Sequence, residues 1–189
     1  MLNFLTSFFL YSVGVQSIIL LETIYGKTEI GLSTSSLILT IIVIQLVGIL
    51  GAYLFSRLAK RIGNLTALKI TIFIWTAASL SAYYLDKDDP NVQLKFYVIS
   101  GFIGLVLGAI QTLSRSTYSK LLPENTLDPT TYFSFFDVTE KIAIVWGTFI
   151  FGLAIAITDS MRLSILLLCL FFVISFIILS MMKKTKYVK

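Results

Sequence analysis

Ionisable and amide side chains stand inside or beside two long apolar stretches of this sequence. Gln111 and Arg115 lie at the end of one stretch, and Asp137, Glu140 and Lys141 lie in the next. A charge at the centre of a membrane-spanning helix costs about 2.5 to 3.5 kcal/mol on insertion scales, so such groups face protein or water. Arginine can hold a carboxylate through two parallel hydrogen bonds, and an amide both donates and accepts. These residue types therefore indicate a polar binding surface.

Helical spacing collects part of this set on one face. Gly101, Gly104, Gly108, Gln111 and Arg115 follow one another at steps of three or four residues, which predicts one stripe along a helix. Glycines let a second helix approach closely, so we expect the glycine part of the stripe to pack against a neighbour. Gln111 is the residue most suited to line a cavity. Arg115 either binds a carboxylate or extends to the membrane interface as part of a gate.

The following apolar stretch carries three charges in one turn. Asp137 and Lys141 are four residues apart and can form an ion pair, with Glu140 near the same face. Such a pair either fastens two helices together or changes partners when the helices move.

The first apolar stretch also contains polar residues. Ser12, Gln16 and Thr23 fall on one helical stripe, which predicts contact with protein or water. Gln16 either hydrogen bonds to a neighbouring helix or lines a cavity. Glu22 lies near the end of the stretch, where a solvated carboxylate and a functional one are both compatible with the pattern.

The elements that position these residues follow from composition. The chain has 189 residues, of which 57% are hydrophobic and 13% charged, far fewer charges than the roughly 25% of a soluble domain. A crossing of the membrane needs about 20 residues. The sequence therefore predicts an all-α, polytopic membrane protein, a single bundle of six transmembrane helices at about 2–25, 34–55, 65–85, 94–113, 132–157 and 161–182.

The net charge of +5 is explained by topology rather than by nucleic-acid binding. Most basic residues lie in alternate connections and in the lysine-rich tail, and the positive-inside rule places these segments in the cytoplasm together with both termini. The connection after the second span is the most basic, with Arg57, Lys60, Arg61 and Gly63.

The residue inventory argues against an enzyme. Histidine is absent and Cys169 is the single cysteine, which leaves no histidine-based catalysis, no thiol cluster and no intrachain disulfide. No paired nucleophile and base, metal-ligand set or phosphate-binding loop is present in the sequence, so we expect neither metal nor cofactor.

Six spans with a basic connection after the second resemble one half of a major facilitator superfamily transporter. The loop signature of that superfamily, roughly G-x-x-x-D-R-x-G-R-R, is similar to the segment from Ser56 to Leu65, in which Arg61 and Gly63 match. Lys60 stands where the superfamily carries aspartate, so the usual ion pair of the loop is in doubt.

A more specific resemblance is to the C-terminal half of the autophagy-related vacuole effluxer family. It rests on Tyr11-Ser-Val-Gly-Val-Gln16, on Gly108-Ala-Ile-Gln-Thr-Leu-Ser-Arg-Ser116 and on Phe135-Phe-Asp-Val-Thr-Glu-Lys141, and it covers essentially the whole chain. The resemblance adds Tyr11 to the residues expected to bind or gate a solute. Relatives often carry an acid before the Gly-Val-Gln sequence, where this chain has Val13. If that acid couples transport to an ion, either Glu22, Asp137 or Glu140 takes its place here or coupling is lost.

The resemblance implies a secondary active transporter, or half of one, that moves small solutes such as amino acids out of a compartment by alternating access. The alternative is a truncated or split membrane protein that no longer transports and serves as a subunit or interaction partner. The replaced acid and the weakened loop favour the alternative, and retention of Gln111, Arg115, Asp137 and Lys141 favours transport.

Several partners and a location follow. A major facilitator site forms between two six-helix halves, so this chain is expected to need a second half: a second copy, a separately encoded half or the rest of a longer chain. Membrane lipid and a small-molecule solute are the other partners. The expected location is a plasma membrane, such as a bacterial inner membrane, or a vacuole-type membrane.

Overall fold

The computed structural model describes residues 1–123 and 128–182 and contains six long helices. Each is long and apolar enough to cross a membrane, so the prediction of an all-α polytopic membrane protein is confirmed. The basic tail and part of the connection between the fourth and fifth spans lie outside the described residues. The helices are α1 (Leu2–Thr28), α2 (Thr34–Ile62), α3 (Asn64–Tyr83), α4 (Val92–Leu121), α5 (Pro129–Thr158) and α6 (Met161–Met181).

Two helices continue well past the apolar stretches that predicted them. α2 runs on to Ile62, so Arg57, Lys60 and Arg61 lie in its last turns rather than in a loop. The connection to α3 is Gly63 alone, whose φ of 88° lies in the region that favours glycine. Charged residues are good helix formers and can project into the headgroup region, so a drop in hydropathy does not end a helix.

Short polar side chains begin several helices. The Ser33 and Ser160 hydroxyls accept backbone N–H groups of α2 and α6, and Asp128 accepts the N–H of Thr131. Hydrogen bonds from the Thr131 hydroxyl and N–H hold the pKa of the Asp128 carboxyl below its usual range. These caps satisfy N–H groups that have no partner inside the helix.

α2 and α4 pack backbone against backbone. A Cβ atom added to Gly108 would lie 1.9 Å from the Gly48 carbonyl oxygen, and one added to Gly51 would lie 1.9 Å from the Leu105 carbonyl oxygen. Gly104 meets the backbone of α2 in the same way, whereas nothing lies within 4 Å of a Cβ on Gly101. The predicted close approach is therefore confirmed at Gly104 and Gly108 and is wrong at Gly101.

α1 lies between α5 and α6 and also touches α2 and α4. Near its beginning, the hydroxyls of Ser7 and Ser175 lie 2.7 Å apart, and each also donates to the other residue's carbonyl oxygen at 3.1 Å. Farther along the bundle, the rings of Trp75 and Phe172 stack in the core between α3 and α6. Aromatic stacking thus joins α3 to α6 in the core, and a pair of serines joins α1 to α6.

α2 and α5 present broad apolar faces to the outside of the bundle. Only 17% of the apolar window of α2 and 22% of that of α5 is buried, against 65% for α1. Exposed side chains on these two faces include Leu46, Ile49, Val145 and Phe149. Gln45 and Lys141 are also exposed on them. The exposed faces of α2 and α5 are therefore not entirely apolar.

Candidate functional site

A polar cavity of about 300 Å³ lies between α1, α4 and α5. We call it the polar cavity. It is lined by Phe8, Tyr11, Ser12, Val15, Gln16, Ile110, Gln111, Thr112, Ser114, Arg115, Phe136 and Glu140. This cavity contains the four residues predicted to bind or gate a solute, together with Glu140. The four are Tyr11, Gln16, Gln111 and Arg115.

Arg115 is paired across the helices with Asp137. Its guanidinium donates to the Asp137 carboxylate at 2.7 Å, with side chains 58% and 49% exposed. The spacing within α5 had predicted a pair between Asp137 and Lys141, and the structure differs. Within the described residues, no ion pair to Lys141 is observed; its side chain is exposed, and Asp137 pairs with Arg115 of α4 instead.

A second polar contact joins α1 to α5 along the cavity wall. The Gln16 amide donates to the Glu140 carboxylate at 3.4 Å, and both side chains are half-buried. This long hydrogen bond does not neutralise the carboxylate. With Asp137 already paired to Arg115, the cavity and its rim carry two acids against one base, a net charge of −1.

Aromatic residues form the floor beneath these charges. The Tyr11 hydroxyl is buried and shares a hydrogen bond of 2.6 Å with Ser114 of α4. The Phe8 and Phe136 rings stack at 4.0 Å, and the guanidinium carbon of Arg115 lies 5.9 Å from the centre of the Phe136 ring. A cation over an aromatic face is attracted to it, so Phe136 helps to orient Arg115.

The cavity is open on the side of α4. Gln111, Thr112 and Arg115 are all exposed, while Ser12 on the opposite wall is buried. Within the described residues no hydrogen bond to the Gln111 amide or the Ser12 hydroxyl is observed. Both groups are therefore available to a solute that enters from this side.

The remaining predicted residues lie elsewhere. Glu22 is buried farther along α1, and the basic residues Arg57, Lys60 and Arg61 are exposed at the end of α2. Sequence reasoning missed Ser114 and Phe136, which touch the site only because α1, α4 and α5 meet. A serine in a helix and a phenylalanine near a span end are too common to single out from one sequence.

The described residues contain no cluster of three or more histidine, cysteine, aspartate or glutamate side chains placed to hold a metal ion. The donor set of the polar cavity is an arginine, a carboxylate, amides and hydroxyls. Such groups bind a polar organic solute through charge and hydrogen bonds.

Comparison with known proteins agrees with this geometry. The sequence profile of the vacuole effluxer Atg22-like family matches residues 1–188, nearly the whole chain. The chain belongs to this family. Its fold is accordingly that of a transporter family, and the resemblance to the major facilitator superfamily is confirmed.

Individual relatives come from bacteria and yeasts. An MFS-type transporter of Bacillus subtilis, YxiO, described as uncharacterized, is 29% identical over 177 residues, which cover 94% of this chain and 40% of that protein. Autophagy-related protein 22 of Vanderwaltozyma polyspora is 32% identical over 171 residues, with 87% and 32% covered. The Kluyveromyces lactis protein of the same name is 28% identical over 178 residues, with 91% and 36% covered. The chain thus spans two fifths or less of the length of these relatives.

Proposed function

We propose that the chain is one six-helix half of a secondary active transporter that moves small zwitterionic solutes, amino acids foremost, by alternating access. The observation that carries the proposal is the polar cavity, in which Arg115, Gln16, Gln111 and Glu140 line one space of about 300 Å³. That volume is at the small end of ligand pockets, so it suits a solute the size of an amino acid.

The charges of the cavity favour a zwitterion. The Arg115 guanidinium can donate two parallel hydrogen bonds to a solute carboxylate, in exchange for or beside Asp137. Glu140 has only a long hydrogen bond from Gln16, so the ammonium group of a zwitterion would gain an ion pair there. A dicarboxylate would lack the second cation, and a plain amine would gain nothing from Arg115, which would stay paired with Asp137.

The exposed faces support a requirement for a second six-helix half. Gln45 on α2 and Lys141 on α5 are exposed among apolar side chains, and Gln111 and Arg115 are exposed at the open side of the cavity. Facing lipid, these groups would each carry a cost of a few kcal/mol, whereas a second half would cover them and close the cavity. Rocking of the two halves would then expose the cavity to alternate sides of the membrane.

Topology and location belong to the same proposal. The ends of α2 and α4 lie on the same side of the bundle, since Asn64 donates to Ser116 at 2.8 Å and Lys120 donates to Asn64 at 3.0 Å. The positive-inside rule makes this basic side cytoplasmic, with both termini on it. The membrane is the plasma membrane of a bacterium or a vacuole-type membrane.

The test is transport by reconstituted protein. We would co-express the chain with its complementary half, found by reading the neighbouring coding sequence for six further spans, and reconstitute the pair in liposomes. Counterflow uptake of labelled amino acids, dicarboxylates and amines is then measured. We expect amino acids to exchange and the other two classes not to.

Variants make the result specific to the cavity. Glu140→Gln removes the charge but keeps the shape, and we expect it to weaken uptake of amino acids more than uptake of their N-acetyl forms, which carry no ammonium group. Glu29→Gln is the matched control, because Glu29 pairs with Arg162 at 3.5 Å outside the cavity. No uptake of any solute by a correctly assembled pair would contradict transport, and equal uptake by this chain alone would contradict the need for a second half.

A further inference from the structure

Glu22 and Ser100 form a second polar pair in the bundle interior. Glu22 on α1 is 9% exposed and Ser100 on α4 is fully buried. One carboxyl oxygen of Glu22, Oε1, and the Ser100 hydroxyl oxygen have no hydrogen-bond partner among the described residues. A buried polar atom without a hydrogen-bond partner costs about 1 to 3 kcal/mol of folding stability. Two such atoms that line the same space therefore point to a missing ligand.

The space between these two groups is small. Both line a cavity of about 30 Å³ between α1, α3, α4 and α6, whose other lining residues are mostly apolar, such as Ile103 and Ile165. A cavity of this size has room for a proton on the carboxyl and for one water molecule, but not for an organic solute.

Among the described residues, no positively charged side chain lines the spaces beside the carboxylate. The other polar groups that line them are all uncharged: Thr23 and Tyr25 on α1, Thr40 and Gln45 on α2, Ser79 on α3 and Ser100 on α4. α6 contributes Ile165, and α5 does not line either space. Three of the hydroxyls are already engaged, because Tyr25 donates to the Ala82 carbonyl, Thr40 to the Ser36 carbonyl and Ser79 to the Trp75 carbonyl. An isolated carboxylate in such surroundings is strongly disfavoured relative to the neutral acid.

Glu22 also borders a second space through which a proton can be exchanged. A groove of about 150 Å³ between α1, α2 and α4 is lined by Glu22 together with Thr23, Thr40 and Gln45. Thr23 and Gln45 are exposed, so the groove reaches the surface of the bundle on the α2 side. The carboxyl therefore lies between the small cavity and the groove.

This pair is separate from the polar cavity, although both use α1. Glu22 follows Gln16 by six residues, which on a helix is about 9 Å along the axis and about 240° around it. The two spaces that Glu22 borders share no lining residue with the polar cavity. A solute at Gln16 and a ligand at Glu22 can be bound at the same time.

We propose that Glu22 and Ser100 form a proton-binding site. The proton enters from the groove, binds a carboxylate oxygen of Glu22, and the resulting O–H donates to the Ser100 hydroxyl oxygen. When the proton leaves by the groove, the carboxylate that remains favours arrangements of the surrounding helices in which it is better hydrated or paired. Protonation of Glu22 and the arrangement of the helices around it are thereby coupled. The role of this site in driving solute movement rests on the proposed transport.

Infrared spectroscopy tests the site without any transport. In the reconstituted assembly at neutral pH, we expect a carbonyl-stretch band of a protonated carboxyl that disappears in Glu22→Gln and shifts in Ser100→Ala. Glu29→Gln is the control, because Glu29 lies near the same end of α1 and pairs with Arg162 at 3.5 Å, and it should leave the band unchanged. A band that persists in Glu22→Gln, or one that is lost on adding sodium ions, would overturn the assignment.

Transport then tests the role. We expect Glu22→Gln to lose accumulation of solute driven by a pH gradient while solute-for-solute exchange continues, because exchange needs no net proton movement. Accumulation equal to that of the unmodified protein would refute coupling through Glu22. Absence of exchange in the unmodified protein would instead refute the proposed transport, and the infrared result would still decide whether Glu22 holds a proton.

Discussion

The guanidinium of Arg115 and the carboxylate of Asp137 join α4 to α5 at 2.7 Å, at the open rim of the polar cavity. Both side chains are about half exposed, so the pair is screened by water and contributes little to stability. Its position matters more than its strength. A solute carboxylate that reaches Arg115 competes with Asp137 and loosens the only ion pair between these two helices within the described residues.

Arg115 is expected to determine affinity for the solute carboxylate. Arg115→Ala removes hydrogen bonds to a charged group, worth about 1.5 to 3 kcal/mol, and should weaken binding about 10- to 100-fold. Arg115→Lys keeps the charge but not the two-pronged geometry and should recover only part of the loss. Binding is measured by scintillation proximity with labelled amino acids. Arg162→Ala, at the other end of the bundle, is the control, and an unchanged affinity in Arg115→Ala would contradict the site.

Two glycines of α4 should respond oppositely to alanine. In Gly108→Ala the added methyl meets the Gly48 carbonyl oxygen and should destabilise the bundle by about 1 to 3 kcal/mol or more. In Gly101→Ala it meets nothing within 4 Å, and the helix should gain roughly 0.5 to 1 kcal/mol. Thermal unfolding in detergent measures both. Equal effects at the two positions would contradict the backbone contact between α2 and α4.

The reciprocal hydrogen bonds of Ser7 and Ser175 should be energetically coupled. Ser7→Ala and Ser175→Ala each leave the other hydroxyl with a poorer partner, so the double variant should be more stable than the sum of the single losses predicts. Hydrogen bonds between membrane helices average about 0.6 kcal/mol in such cycles. The cycle is measured by unfolding in mixed detergent, and strictly additive losses would show that α1 and α6 do not meet there.

Shielding by a second half is expected at α5 and not at α3. Val145 on α5 is 68% exposed and Phe73 on α3 is 66% exposed, so the two positions are matched in this chain. After replacement of Cys169 by alanine, a spin label is attached at Val145→Cys or Phe73→Cys, and collisions with oxygen dissolved in the lipid are measured. We expect the label on α5 to be protected in the assembled protein and the label on α3 to stay accessible. Equal accessibility would place both faces in lipid.

Most of the fold could be predicted because each span has a continuous apolar stretch of sufficient length. The predicted spans begin within a few residues of the helices, whereas α2 and α4 continue to Ile62 and Leu121, beyond the predicted span ends at residues 55 and 113. Hydropathy reports where a helix leaves the hydrocarbon. It does not report where hydrogen bonding along the backbone stops.

The sequence indicated several of the residues that line the polar cavity but not which of them pair with each other. Spacing within one helix correctly grouped Gln111 with Arg115 on the cavity side of α4. It suggested Lys141 as the partner of Asp137, because a single sequence shows neighbours along a helix and not those across it. The contact of Gln16 with Glu140 depends on the rotation of α1 against α5, about which the sequence carries no local signal.

The backbone contact at Gly48 and Gly108 has a mechanical consequence. α4 supplies Gln111 and Arg115 to the cavity, and α2 supplies an exposed apolar face on the outside of the bundle. With no side chains between them at Gly48 and Gly108 to absorb a shift, the two helices travel together. A shift of α4 that follows solute binding at Arg115 therefore also shifts α2 and the apolar face that α2 exposes on the outside of the bundle.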